Sequence, residues 1–155
     1  MNTSSYNPDA LSIRPAIPTD WSSLCPLLAQ MGHLDSEQAA KSRFEHLLQC
    51  PDQYLPVALF DTTVVGYAWV QNYGAHLRSG SSTARLHDLF VLSNYRKLSI
   101  GTILFQSVKA WAAQSKIRYL EWQASQAALG FYERLGYQGD PCPQPDYPFF
   151  EIDFG

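Results

Sequence analysis

Residues 87 to 102, HDLFVLSNYRKLSIGT, constrain the fold of this chain more than any other stretch. An apolar run, Leu89, Phe90, Val91 and Leu92, passes through a short polar link into Arg96, Lys97, Leu98, Ser99, Ile100 and Gly101. Beyond it, apolar residues recur at Ile100, Ile103, Leu104, Val108, Trp111 and Ala112, the spacing of one helix face. The pattern predicts a strand, a tight loop and a helix N-terminus. Such a corner presents unpaired backbone N–H groups and the positive end of a helix dipole to an anion. Arg96 adds fixed charge at the start of the loop. A phosphate or pyrophosphate is the natural ligand of the corner; an ordinary strand–turn–helix with a surface Arg–Lys pair is the alternative.

The chain around it is long enough for one core. Its 155 residues are 46% hydrophobic and 14% aromatic, ample for a single domain. Charged residues are only 16%, so a disordered chain is not indicated. A formal net charge of −3 and the lack of a basic run argue against a nucleic-acid partner. Cys25, Cys50 and Cys142 are odd in number and widely spaced, which predicts neither a disulfide framework nor a zinc site and favours a reducing compartment. The polar start, MNTSSYNPDA, has neither the cationic nor the apolar part of a signal peptide, and no apolar run is long enough to span a membrane. A soluble, cytoplasmic protein without metal is expected.

Residues 1–10 read as a flexible tail and 11–155 as one domain. Leu11 to Arg14 predict a short strand. Trp21, Leu24, Leu27, Leu28 and Met31 predict a helix capped by Thr19 or Asp20, with Pro26 expected to kink or shorten it. A second helix starts near Asp35 or Ser36 and stops before Pro51. Pro56–Phe60 and Val64–Tyr73 predict a hairpin about Asp61, Thr62 and Thr63, and Asn72 to Ser82 a loop over the active face. Thr83–Leu92 is the strand entering the corner. After the long helix ending near Gln114, Tyr119–Ala124 predicts a strand and Ala127–Leu135 a short helix closed by Gly136. Tyr137 is expected to begin a strand, PCPQPDYP a rigid loop, and Phe149–Phe154 a final strand. Hairpins mixed with crossovers imply a mixed α/β (α+β) sheet with helices on its faces.

Two motifs carry a family resemblance. Arg96 to Gly101 resembles the acetyl-CoA signature of the GNAT superfamily of N-acetyltransferases, Arg/Gln-x-x-Gly-x-Gly/Ala, with Ser99 at the first glycine and Lys97 where a glycine is common. The segment LHDLFV is similar to the Leu-Glu-Asp-Leu/Phe-Phe-Val segment of the diamine acetyltransferase branch, with His87 in place of the glutamate. Downstream, Ser125, Ala128, Phe131, Tyr132, Leu135, Gly136 and Tyr137 resemble the family's Asn-x-x-Ala-x-x-Phe-Tyr-x-x-x-Gly-Phe/Tyr segment, with Ser125 replacing asparagine. The resemblance covers residues 11 to 154. It implies a GNAT-like twisted, mostly antiparallel sheet of six to seven strands with about four helices. It also implies an acetyl-CoA:amine N-acetyltransferase.

Acetyl transfer from CoA to an amine needs an anchored cofactor, an oriented thioester, a deprotonated amine and a protonated leaving thiolate. The resemblance assigns the anchor to Arg96, Lys97, Leu98, Ser99, Ile100, Gly101 and Thr102. Glycine there lets backbone approach phosphate, while Ser99 adds a hydroxyl able to bond a phosphate oxygen or cap the helix. It assigns the pantetheine arm to the main chain of Phe90, Val91 and Leu92, like an added strand, with a β-bulge nearby to open the slot. Ser125 and Phe131 complete the cofactor set; Ser125 either bonds the pantetheine or caps its helix. Tyr132 stands at the family's acid position, where a phenol of pKa about 10 stays protonated at neutral pH; packing against the cofactor sulfur is its other reading. His87 and Asp88 are the base candidates: histidine titrates near neutrality, with a hydrogen-bonded structural role as its other reading, and Asp88 orients the loop or substrate or itself holds a cation. His33, His46 and His76 have weaker claims. No cysteine lies in these motifs, so direct attack in a ternary complex is expected.

The acceptor is the least constrained element. Tyr67, Trp69 and Tyr73 share one face of a strand by their period of two, and Trp122, Glu151 and Asp153 offer an aromatic wall or carboxylates to a cation. Packing and solvated charge explain the same residues. The expected acceptor is a small-molecule primary amine, such as a polyamine, amino acid or aminoglycoside-like compound, with a peptide N-terminus or protein lysine as further options. A non-catalytic acyl-CoA-binding or regulatory module is the alternative; a different nucleotide fold lacks its loop motifs here. The exposed edge of a final strand over Phe149–Phe154 would pair two copies into a homodimer.

Overall fold

A computed structural model describes residues 10–139 and 152–154. These residues form six strands and four α-helices: β1 Leu11–Pro15, α1 Trp21–Met31, α2 Glu37–Leu47, β2 Gln53–Tyr54, β3 Pro56–Phe60, β4 Thr63–Ala75, β5 Ser82–Val91, α3 Ile100–Gln114, β6 Tyr119–Trp122 and α4 Gln126–Arg134. The sheet runs β1-β3-β4-β5-β6, with β2 on β4, and all pairs are antiparallel except β5 with β6. It is the mixed, mostly antiparallel sheet expected from the sequence. The chain divides into two compact units, up to Trp122 and from Gln123 onward.

In the first unit the sheet is covered on both faces. Trp21, Leu24 and Leu27 of α1 and Phe44 of α2 pack with Val57, Leu59 and Tyr67. Ile100 and Leu104 of α3 pack with Ala58 and Val65, the alternate residues of the same strands. The hairpin β3–β4 turns at Asp61, whose φ of 55° is left-handed. Gly66 is hemmed in by the next strand and by α3: a Cβ there would lie 2.9 Å from the Phe90 carbonyl oxygen and 3.2 Å from Leu104 Cδ1.

Local chemistry explains the helix boundaries. Ser36 caps α2, its hydroxyl accepting from Ala39 N–H at 3.1 Å. Asp20 does not cap α1 through its side chain, contrary to expectation. A 3-10 turn over Pro18–Asp20 precedes the helix, and the carboxylate instead takes both Arg14 Nη1 and Nη2, at 2.7 and 2.9 Å, and the Ile17 N–H. Burial works to raise the Asp20 pKa, yet these donors hold it below the usual carboxylate value. Pro26 neither ends nor shortens α1; it sits on the exposed side, where water can take the carbonyl that it leaves unpaired.

Two other expectations change. Asn72 to Ser82 is not wholly a loop: β4 continues to Ala75 and β5 begins at Ser82, leaving only the hairpin tip. Tyr137 begins no strand, because its N–H bonds back to the Tyr132 carbonyl while Gly136, at φ 89°, bonds to Glu133, closing α4 as a Schellman cap. The PCPQPDYP loop and most of the Phe149–Phe154 strand fall outside the described residues; Ile152, Asp153 and Phe154 carry no strand.

Gly66→Ala should cost about 1–3 kcal/mol, the order for forcing bulk into a packed layer, because the Phe90 carbonyl it meets is backbone and cannot turn aside. Urea denaturation of the two proteins gives the value.

Candidate functional site

The key local feature is a one-residue slip in β5. Trp69 pairs with Asp88 but Val70 pairs with Leu86, so His87 is an extra residue bulged out of the ladder. In a regular strand neighbours point to opposite faces. The bulge brings His87 and Asp88 to the same one, with Tyr67 and Trp69 of β4. The Tyr67 hydroxyl donates to Asp88 Oδ2 at 2.9 Å, and the His87 ring stacks on Trp69 at 4.2 Å. Tyr73 adds an edge contact to His87 at 6.5 Å, so the three aromatic residues of β4 do share one face. Just before the bulge the parallel pairing of β5 ends, at Leu86 with Trp122, while β5 continues to Val91.

Charge at the bulge follows from burial. Partial burial lowers the His87 pKa, helped by the Arg85 cation and opposed by Asp88, so the imidazole is neutral at pH 7. Its Nε2 lies 3.1 Å from Gln71 Oε1. If that amide oxygen accepts, Nδ1 carries the lone pair. Burial first, then the Asp88 charge and hydrogen bond, push the Tyr67 phenol far above its ordinary value, so it remains a donor.

Asp88 opens into a cavity of 660 Å³ between α1, α2 and the sheet. Leu28, Leu34, Phe44, Leu47 and Trp69 form much of the wall, with Arg43 and His46 of α2 also lining it. Arg43 is bound to Asp35 at 2.6 and 3.0 Å. Trp69 is fixed by its Nε1 donating to Gln53 Oε1 at 2.9 Å. Sequence reasoning found Asp88 and Trp69 but not Tyr67 as partner of Asp88, nor the leucine wall. Alternation places His87 and Asp88 on opposite faces; the bulge that the family resemblance implies near Phe90 to Leu92 falls at His87, a position that nothing in the local sequence marks. His33 is exposed after α1, and His76 at the hairpin tip accepts backbone N–H groups of Arg78 and Ser79. The Trp122 ring packs edge-on to Phe105 at 5.3 Å, and Glu151 lies outside the described residues.

The corner after β5 has the backbone of a glycine-rich loop without the glycines. Lys97 and Ser99 have φ of 65° and 63°. The Ser99 side chain makes no capping bond, since an N-cap needs extended backbone and Ser99 is left-handed. The hydroxyl is therefore exposed, and the N–H groups of Ile100, Gly101 and Thr102 precede the first intrahelical donor, Ile103 to Ser99 O. Leu98 and Ile100 plant their side chains in the α3-side core, as does Val91, while Phe90 packs on the other face and Leu92 touches both. Only main chain is thus offered at these positions. Arg96 donates Nε to the Val91 carbonyl at 2.9 Å and lies 5.7 Å over the Phe90 ring, pinning the loop to the strand it leaves. Such a cradle of outward N–H groups beside a guanidinium suits the diphosphate of a CoA thioester.

In the second unit Ser125 stands at the N-cap of α4, its carbonyl accepting from Ala128 and Leu129, but its exposed hydroxyl makes no cap bond. Phe131 meets Tyr132 edge-on at 4.9 Å. Tyr132 is buried, and burial raises its pKa, so the phenol is protonated at neutral pH.

Residues 20–137 match the profile of the Acetyltransferase (GNAT) family, and the chain belongs to that family. A stretch of 64 residues is 28% identical to an inferred acetyltransferase of Bacillus subtilis (strain 168), covering 41% of this chain and 44% of that protein. The chain thus spans under half the length of this curated relative in the match. Among solved structures, glucosamine-6-phosphate N-acetyltransferase from Arabidopsis thaliana superposes with a TM-score of 0.76 at 18% identity, over 91% of this chain and 99% of that one. An aminoglycoside N-acetyltransferase in complex with CoA gives 0.77 at 18% identity, over 92% and 94%. Ribosomal-protein-alanine N-acetyltransferase from Brucella melitensis gives 0.68 at 20%, over 94% and 100%. These likenesses establish the fold. Among the described residues, no helix is long and apolar enough to cross a membrane, and no group of His, Cys, Asp and Glu side chains could hold a metal ion.

Left-handed backbone costs an L-residue about 1–2 kcal/mol, and glycine gives back about 0.5–1 kcal/mol of that in chain entropy. Ser99→Gly should therefore stabilise the protein by roughly 0.5–1 kcal/mol, and Ser99→Val, β-branched at positive φ, should destabilise it by about 1 kcal/mol or more. Thermal or urea unfolding of both variants checks the sign.

Proposed function

We propose that the protein is an acetyl-CoA-dependent N-acetyltransferase that acylates a small-molecule primary amine by direct attack. The observation that carries this reading is a single strand. At its bulge β5 sets the Asp88 carboxylate, braced by Tyr67, against a cavity, and at its end it feeds the N–H cradle of residues 97 to 102. An ammonium site and an anion site are thereby tethered by a few residues of one strand. The resemblance of residues 86 to 91 to the diamine acetyltransferase branch supports an amine acceptor.

When bound, acetyl-CoA supplies a thioester whose acyl carbon is open to attack by a neutral amine. Main-chain N–H groups from Leu98 to Thr102 hold its diphosphate, with Arg96 assisting, and the main chain of Phe90, Val91 and Leu92 aligns the pantetheine arm. Asp88 draws the acceptor's ammonium into the cavity and fixes its nitrogen. His87, neutral at pH 7, takes the proton directly or through a water. Tyr132 gives a proton to the departing thiolate, a role that rests on its place in the sequence motif and on its protonated state. Ser125 and Phe131 are proposed cofactor contacts on the same sequence ground. An acyl-CoA-binding module without catalysis would bind acetyl-CoA and acetylate nothing, which assays with amine acceptors distinguish.

Gly101→Glu places bulk and negative charge against the diphosphate and should abolish acetyl-CoA binding in calorimetry, with the fold retained by circular dichroism. Unchanged affinity would remove the corner from the site.

Turnover separates the proton-transfer roles. Tyr132→Phe should lower kcat by ~10²-fold or more with nearly unchanged acetyl-CoA affinity, the scale of one acid–base group. The wild-type rate should fall on the acid side as His87 protonates, below its ordinary value of 6.5. His87→Ala should lose most rate below the amine's pKa and least at high pH, where neutral amine is abundant. A defect equal at every pH would make His87 a positioning residue.

A further inference from the structure

We infer that the acceptor is a monocationic primary amine on an apolar body, such as an arylalkylamine or a long alkylamine, and not a polycation. The inference rests on the amine-acetylation reading above and narrows it. The cavity is the size of a small-molecule pocket, and eight of the fourteen described residues that line it are apolar. Among those described residues Asp88 is the one carboxylate. Tyr67 occupies Oδ2, leaving Oδ1 to accept from a single ammonium.

The other polar groups on the wall do not welcome a second cation. Gln53 is held by Trp69, and Arg43 is itself a cation, committed to Asp35. Ser42 and His46 lie on the exposed side of α2. Bringing a second ammonium among the half-buried Leu28, Leu34 and Leu47 strips part of its water with no counter-charge from the described wall. An apolar body gains there instead, in proportion to the area it removes from water. The wall therefore selects against putrescine, spermidine and aminoglycosides, and for one amine with a ring or chain behind it.

The test compares CoA release from acetyl-CoA with 2-phenylethylamine and hexylamine against putrescine, spermidine and kanamycin, all with the full chain. The two monoamines should show kcat/KM at least tenfold above each polycation. Equal or better turnover of any polycation overturns the inference while leaving amine acetylation intact; turnover of no amine overturns both. Calorimetry adds a readout independent of catalysis: 2-phenylethylamine should bind at least tenfold more tightly than putrescine, and the reverse order overturns the inference. In Leu28→Glu, a second carboxylate on the half-buried wall should narrow the monoamine preference over putrescine at least tenfold. An unchanged preference in that variant, shown folded by circular dichroism, counts against a selecting wall.

Discussion

A single extra residue in β5 governs the arrangement of the polar groups that β4 and β5 turn toward the α1–α2 face. Without the bulge at His87, Asp88 would face Tyr67 and Trp69 while His87 turned to the α3 side, into the layer of Val65 and Leu104. With it, an imidazole and a carboxylate that are neighbours in sequence become neighbours on one face. The aromatic residues of β4 then have something to hold. Trp69 stacks on one and Tyr67 bonds the other, so packing holds the imidazole and a hydrogen bond holds the carboxylate. The parallel pairing to β6 ends at Leu86 while the pairing to β4 continues to Val91, so beyond the bulge the edge of β5 turned away from β4 carries its main chain toward the corner.

The corner shows the complementary device. Left-handed backbone at Lys97 and Ser99 is strained for L-residues, and strain of this kind persists only where surrounding structure imposes it. Here the imposing contacts are visible. Leu98 and Ile100 are seated in the α3-side core, and Arg96 ties the loop to the Val91 carbonyl. Buried side chains at alternate positions pull the intervening residues outward and turn their backbone to solvent. The loop thus keeps a glycine-like path by anchoring its apolar residues.

How much was legible follows from the range of the forces involved. Helix α3 was readable to its ends, Ile100 and Gln114, because periodicity and burial coincide there. The start of α2 near Asp35 or Ser36, the β3–β4 hairpin and the Gly136 stop were equally local and equally readable. Asp20 was misjudged because a cap was expected where a partner from another element, Arg14 of β1, outcompetes it. The two-residue strand β2 is too short to leave a period. A bulge near the end of this strand was expected from the family resemblance alone; its place at His87 is a mismatch between two strands, and neither strand's sequence carries it. The motif residues were therefore found by type, and the face they share only by structure.

That face also bears on how a base and an ammonium site can coexist. A carboxylate near a bound amine favours its charged, unreactive form, so Asp88 alone would hold the acceptor and hinder its attack. In the proposed reaction the conflict is resolved by the next residue. His87 has a lowered pKa because burial and Arg85 outweigh Asp88, and it stands stacked on Trp69, whose ring also lines the cavity. A neutral imidazole beside a fixed ammonium gives the proton somewhere to go while Asp88 keeps the nitrogen in place. Binding and deprotonation then fall to different groups, and the bulge makes adjacent residues suffice for both.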